Sequence, residues 1–136
     1  MGTKLEDGTF KNSIVLNGHE GKTYENIGNL TFSPDSKQFA YVGTKLEDRT
    51  FKQYIVLNGQ EDKKYDQADF LSFSPDGKQY AYIVDGGVNT FVVLNGRESK
   101  KYDYIQKHFS SFSPDGKKFL YGAVIGRELW WIAEDI

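Results

Sequence analysis

An all-β chain of repeated four-stranded sheets is what this sequence predicts, on three observations. The segment Gly2–Gly18 (GTKLEDGTFKNSIVLNG) recurs as Gly43–Gly59 (GTKLEDRTFKQYIVLNG), differing only at Gly8/Arg49, Asn12/Gln53 and Ser13/Tyr54. The cassette Phe-Ser-Pro-Asp starts at Phe32, Phe73 and Phe112, followed by Gly-Lys in the last two, and Val-Leu-Asn-Gly starts at Val15, Val56 and Val93. Aromatic residues are abundant, with ten Phe, nine Tyr and two Trp, and the apolar runs are short, which favours strands over helices. Spacings of 41 residues from Phe32 to Phe73 and 39 from Phe73 to Phe112 mark one supersecondary unit copied along the chain.

Each element of the unit has a local reason. Strand a (Leu30–Ser33) stops at Pro34-Asp35-Ser36-Lys37, and the matching turns are Pro75-Asp76-Gly77-Lys78 and Pro114-Asp115-Gly116-Lys117. Pro ends a ladder, and Asp-Gly tolerates the positive φ of a tight turn. The recurring Asp35, Asp76 and Asp115 therefore belong to turn backbones, not to acid–base chemistry. Strand b (Gln38–Gly43) is apolar on both alternating faces, Phe39 and Tyr41 on one, Ala40 and Val42 on the other, as in a sheet covered on both sides. Strand c (Phe51–Leu57) runs into Asn58-Gly59, a strong hairpin signal. Strand d (Glu61–Asp66) is charged, as an outer edge should be.

Four-stranded meanders with both faces buried, repeating about every 40 residues, read as β-propeller blades. The strings NLTFSPDSKQFAYV, LSFSPDGKQYAYIV and SSFSPDGKKFLYG resemble the WD40-like PD40 (TolB-type) β-propeller repeat family. That resemblance covers nearly the whole chain. It implies a propeller, six blades in the complete ring, and a soluble protein of the bacterial cytoplasm or periplasm. It says little about ligands, because Pro, Asp and Gly serve the turn.

The expected division is a partial blade at 1–28, blades at 29–69 and 70–108, and a partial blade at 109–136. The first has the end of b (Gly2–Asp7), then c (Phe10–Leu16) and d (Glu20–Glu25). The last has a (Ser110–Ser113), b (Lys118–Val124) and a c-like run, Leu129–Ile132. About three blades do not close a ring of 4–8, and open blade faces are apolar. Self-association is therefore expected, a homodimer completing six blades by pairing a–b of one chain with c–d of the other. The c-like run competes with the N-terminal c strand for that place. Trp130 and Trp131 point to opposite faces of their strand; with Phe10 and Ile14 at the other end, they are the candidate interface residues.

A formal charge of −2 gives no basic excess for a nucleic-acid surface. The absence of Cys excludes disulfides, thiolate metal sites and a Cys nucleophile. No apolar run reaches membrane-spanning length, and the polar N-terminus does not read as a signal peptide. Neither a G-x-S-x-G elbow nor H-E-x-x-H nor a phosphate loop is present. No catalytic residue, metal ligand or cofactor is expected.

Length differences between copies point to a binding surface. Phe32 to Val56 spans 24 residues but Phe73 to Val93 only 20, so the b–c loop shortens by four. Val56 to Phe73 spans 17 but Val93 to Phe112 spans 19, so the d–a segment gains two. These loops share one rim of a propeller, and variation there marks the likelier contact face. The candidates are Lys45, Glu47, Asp48 and Arg49; Gln67 and Asp69; Asp85, Val88 and Asn89; and Tyr104, Gln106, Lys107 and His108. The expected function is a non-catalytic scaffold binding a protein or peptide. The alternatives are a carbohydrate-binding propeller, or an engineered or partial propeller without a dedicated ligand. A lectin should repeat its site-forming aromatics, yet the earlier c strands carry Tyr54-Ile55 and Val92-Val93 where the last has tryptophans.

Overall fold

The computed structural model describes the backbone of residues 2–6 and 9–136, and the side chains of 2–5 and 11–136. The described residues form antiparallel strands joined by turns, with no helix. The first blade has β1 (Gly2–Glu6), β2 (Thr9–Ser13), β3 (Val15–Leu16) and β4 (His19–Glu20). β1 pairs with β2 and β3 with β4, so the expected c strand is interrupted at Ile14 and the d strand is short, continued by a bridge from Asn12 to Tyr24. The second blade is β5 (Asn26–Phe32), β6 (Phe39–Glu47), β7 (Thr50–Leu57) and β8 (Gln60–Tyr65), paired in that order. The third is β9 (Ala68–Phe73), β10 (Tyr80–Asp85), β11 (Thr90–Leu94) and β12 (Arg97–Glu98). The fourth is β13 (Tyr104–Phe112), β14 (Lys118–Ile125) and β15 (Glu128–Asp135).

The turns follow the sequence chemistry. At Asn17-Gly18, Asn58-Gly59 and Asn95-Gly96 both central residues have positive φ, between 52° and 85°, as a type I′ hairpin requires. The Asn58 side chain also accepts from Phe39 N at 2.9 Å, and Asn95 from Tyr80 N at 3.0 Å, tying each c–d turn to its b strand. In the Ser-Pro-Asp turns, Ser74 donates to Asp76 Oδ1 at 2.5 Å. The same Oδ1 accepts from Lys78 N at 2.9 Å, and the serine hydroxyl accepts from Gln79 N at 3.0 Å. Ser33/Asp35 and Ser113/Asp115 repeat the pattern. The three aspartates do turn work, as expected.

Stacking of blades makes the core. Ala40, Val42 and Ile55 of the second blade meet Leu71, Tyr82, Val84 and Val93 of the third. Ala81, Ile83 and Val92 of the third meet Ile105, Phe119, Tyr121 and Ala123 of the fourth. Each apolar side chain fully buried this way contributes about 1.5–3 kcal/mol. The junction of the first two blades buries fewer: Ile14, Tyr24, Tyr41 and Val56. Across every junction a tyrosine at or just past the end of the d strand packs edge-on against a b-strand tyrosine: Tyr24 on Tyr41 at 6.1 Å, Tyr65 on Tyr82 at 6.0 Å, and Tyr102 on Tyr121 at 5.9 Å. Such pairs add about 0.5–1.5 kcal/mol beyond area burial. Tyr24 also donates to Glu61 of the next blade at 2.9 Å and Tyr65 to Glu98 at 3.2 Å.

Three strand expectations are corrected. Strand b does not end at Gly43: β6 runs to Glu47 and pairs with β7 to Thr50, because Thr44-Lys45-Leu46-Glu47 alternates well enough to extend the hairpin beyond the sheet. The a strands begin well before Leu30 and Ser110, at Asn26 and Tyr104. The C-terminal c-like run is a full strand, β15, paired with β14 from Lys118↔Asp135 to Ile125↔Glu128. Within the single chain the first blade also keeps its own c strand, as β2 and β3.

Candidate functional site

Two features distinguish the rim carrying the b–c turns and the starts of the a strands. The first is the hairpin tips. Asp48 and Arg49 are the two central residues of a type I′ turn, with φ of 47° and 69°; both are exposed. Behind the tip, Glu47 accepts from Tyr54 Oη and, at 3.0 Å, from Lys64 Nζ. The tyrosine bond and the lysine together hold its carboxyl below the usual carboxylate range. Lys45 lies 4.6 Å from the Tyr54 ring centre and 2.9 Å from Glu61. Burial alone would raise the Glu61 carboxyl, but the bonds from Lys45 and Tyr24 outweigh it and keep it low. Lys45 and Glu47 thus fasten the second blade together, and the open positions of this tip are Asp48 and Arg49. In the third blade Asp85 accepts from Gly87 N at 2.9 Å, and Asn89 O accepts from Gly86 N at 2.8 Å. These bonds shape the turn and leave Val88 at 86% exposed.

Large apolar side chains stand open along this rim. Leu46 and Phe51 face each other across the second hairpin, and Ile125, Leu129 and Trp130 flank the fourth. The opposite rim repeats the same Asn-Gly and Ser-Pro-Asp turns from blade to blade. Large apolar side chains open at hairpin tips are the pattern of a contact surface, and Val15, Phe32 and Ile136 are open near the opposite rim as well.

The second feature lies in the a strands, the edge strands that line the axis of a propeller. Each carries a bulge. In β5 the register against β6 shifts between Gly28 and Thr31, with Asn29 at φ 56°. In β9 the corresponding residue is Phe70, at φ 57°. In β13 the register jumps from Gln106 to Ser111, so four residues bulge where the others have two. The two residues gained by the d–a segment therefore sit inside the a strand and not in the connecting loop. Asp69, Tyr104, Gln106, Lys107 and His108, expected on loops, are all on strands. Gln67 alone of that group is in the connection, and its carbonyl accepts from Asp85 N at 3.0 Å.

The bulges touch across blades. Asn29 donates to Asp69 Oδ1 at 2.6 Å, and the same oxygen accepts from Phe70 N at 2.8 Å. The His108 ring stands edge-on to Phe70 at 5.3 Å, and Lys107 Nζ lies 5.9 Å from the Phe70 ring centre. Phe109, from the same bulge, is 62% exposed and meets Trp131 edge-on at 6.0 Å. Tyr104 and Gln106 do not join this group. Sequence reasoning missed Phe70, Phe109, Leu46, Phe51 and Ile125; the detectable signal for the bulges was Asn29, a residue suited to positive φ inside a strand. Among the described residues no three acidic or imidazole side chains gather as a metal-binding cluster.

The interface candidates fall at the two ends. Ile14 is 8% exposed and packs between the first two blades. Trp131 pairs with Gly122 and is 65% exposed on the outer face of the fourth blade; Trp130, 49% exposed, pairs with Ala123 on the inner face. Phe10 lies outside the residues whose side chains are described.

No family model matches the chain, and no curated protein matches it. Among solved structures it is similar to the β-propeller domain of the Trilobed protease from Pyrococcus furiosus, described as having an open velcro topology. The identity is 17%, the match covers 98% of this chain and 51% of that one, and the TM-score is 0.57. It is also similar to an acylaminoacyl peptidase, at 13% identity over 98% of this chain and 30% of that one, with a TM-score of 0.49. The first similarity shows the fold, a β-propeller, and the chain spans about half the length of that structure.

Proposed function

We propose that this chain is a non-catalytic propeller module of the WD40-like PD40 type that binds a protein or peptide on the rim of b–c hairpins. The observation that carries the reading is the exposure of Leu46, Phe51, Val88 and Ile125 at the b–c hairpin tips. Two of these, Leu46 and Phe51, form a cross-strand pair at a hairpin tip, a placement that offers apolar area without disturbing the core. Selection of displayed peptides against the protein tests it. Selected peptides should lose binding on Phe51→Ser and Val88→Ser and keep it on Lys117→Glu, which lies on the opposite rim. Peptides that respond only to Lys117→Glu would refute the assignment.

The module works in this reading as a pair of copies. Leu120, Gly122 and Val124 on the outer face of the fourth blade stand where Ala81 and Ile83 are buried in the third, and Leu120, Leu129 and Trp131 are open there. Leu30 and Phe32, at 47% and 49%, are open beside a cavity of ≈ 400 Å³ lined also by Ile14, Leu16 and Phe39. A second copy covers these surfaces blade against blade. The six-blade closure would require β15 to leave β14; its eight-residue register favours two intact sets of blades side by side.

A further inference from the structure

We propose that the bulges of β9 and β13 form a carboxylate-binding site in the wall of the propeller axis, for an acidic group carried by the rim-bound peptide. A cavity of ≈ 240 Å³ is lined by Phe70, Leu71, Ser72, Lys107, His108 and Ser110. Its polar lining is an ammonium, an imidazole and two hydroxyls, and no carboxylate lines it. The nearest acid in sequence, Asp69, has one oxygen committed to Asn29 and to the Phe70 amide, so it turns toward the neighbouring bulge. Among the described residues Lys107 forms no ion pair within 4 Å, as is also true of Lys37, Lys63, Lys78, Lys100 and Lys117, but Lys107 alone of these lines this cavity.

The backbone is arranged to present these groups. Phe70 is a bulky residue in the left-handed region, which costs on the order of 1–3 kcal/mol and persists only where surroundings impose it. The Asp69 bond to its amide imposes it here. The result turns the Phe70 ring against His108 and beneath Lys107. In β13 the two added residues of the bulge bring Lys107 and His108 opposite that ring, and the Ser110 hydroxyl donates to Lys107 O at 2.8 Å, closing the bulge on itself. An apolar floor flanked by the Lys107 ammonium and the Ser72 hydroxyl suits a carboxylate on a short apolar stem, because charge-assisted bonds from an ammonium are about twice as strong as neutral ones; the Ser110 hydroxyl is already given to Lys107 O. The proposal rests on the peptide-binding reading for the source of the carboxylate.

The chain has two histidines, His19 and His108, so proton NMR of the imidazoles gives a site signal and an internal control. The probes are acetyl-Ala-Phe with a free C-terminus, acetyl-Ala-Phe-amide, and acetyl-Ala-Glu-amide. The expected result is a saturable shift of the His108 resonance with the free acid, with the Glu peptide, or with both, while His19 stays still and the neutral amide has no effect. Which acid acts distinguishes a C-terminal from a side-chain carboxylate. Lys107→Met should weaken the response about tenfold or more. In the unaltered protein, raising salt from about 20 to 300 mM should also weaken it, since the screening length shortens. Equal binding of amide and acid, or a salt-independent response, would overturn the site. If rim-selected peptides bind without any acidic group, the carboxylate site fails while the rim reading stands; if they map to the opposite rim, the rim reading itself fails.

Discussion

Replacing Gly43 by alanine tests how tightly the first two blades are stacked. A Cβ built at Gly43 falls 2.5 Å from both Cδ1 and Cε1 of Tyr24 and 2.7 Å from its Cγ, against 3.4–4 Å for ordinary contact. The ring cannot swing away freely. Tyr24 is fully buried, edge-on to Tyr41, and its hydroxyl donates to Glu61. Val84 and Ala123 hold the equivalent b-strand position in the next two blades, so a side chain there is compatible with the fold when the tyrosine sits further out. Overpacking of this kind costs about 1–3 kcal/mol. Alanine in a strand returns roughly 0.5–1 kcal/mol over glycine, leaving a net loss of up to about 2.5 kcal/mol. The assay is urea denaturation followed by circular dichroism, for Gly43→Ala, Tyr24→Leu and the double variant. With the ring removed, Gly43→Ala should become neutral or stabilising, a coupling of at least about 1 kcal/mol. Additive losses, with Gly43→Ala equally costly in both backgrounds, would refute the stacking argument.

Further outcomes follow from single contacts. Tyr82 Oη is buried and turns toward Tyr65 without a bond of good geometry, whereas Tyr121 Oη donates to Glu134 at 2.7 Å; denaturation should show Tyr82→Phe neutral or stabilising and Tyr121→Phe destabilising by about 1 kcal/mol. Gly59→Val, at φ 85°, should lower the melting temperature by several degrees, since a strained left-handed residue costs on the order of 1–3 kcal/mol. Asp35, Asp76 and Asp115 are held below their ordinary value of 3.8 by a serine hydroxyl and then by a backbone amide. Their contribution is complete above that value and is lost as pH falls through the lower folded-state values. Acid unfolding curves should therefore become shallower below that pH when Ser33, Ser74 and Ser113 are all changed to alanine; an unchanged slope would count against these bonds.

Much of the fold is written locally in the sequence. Asn-Gly and Ser-Pro-Asp dictate their own turns, and b strands apolar on both faces announce stacking. The misread parts are those where tertiary context overrides local signal. Thr44-Lys45-Leu46-Glu47 looks like a polar loop, yet it pairs because Lys45 and Glu47 find partners on β7 and β8. Gly28-Asn29 looks like a strand breaker, yet the strand continues through it as a bulge. The d–a length difference was visible, but only pairing against β14 shows that it widens a strand. Leu46 reads as loop and Phe51 as the first residue of strand c; that they form an exposed pair beyond the a strand is a property of the assembled sheet.

The most direct test is the mass of the purified protein by multi-angle light scattering. The exposed faces around Leu30 and Phe32 and around Leu129 and Trp131 predict a particle of twice the 15.5 kDa chain, dissociated by Trp131→Glu. A folded, soluble species of 15.5 kDa at all concentrations would contradict the claim that these blade faces need a partner.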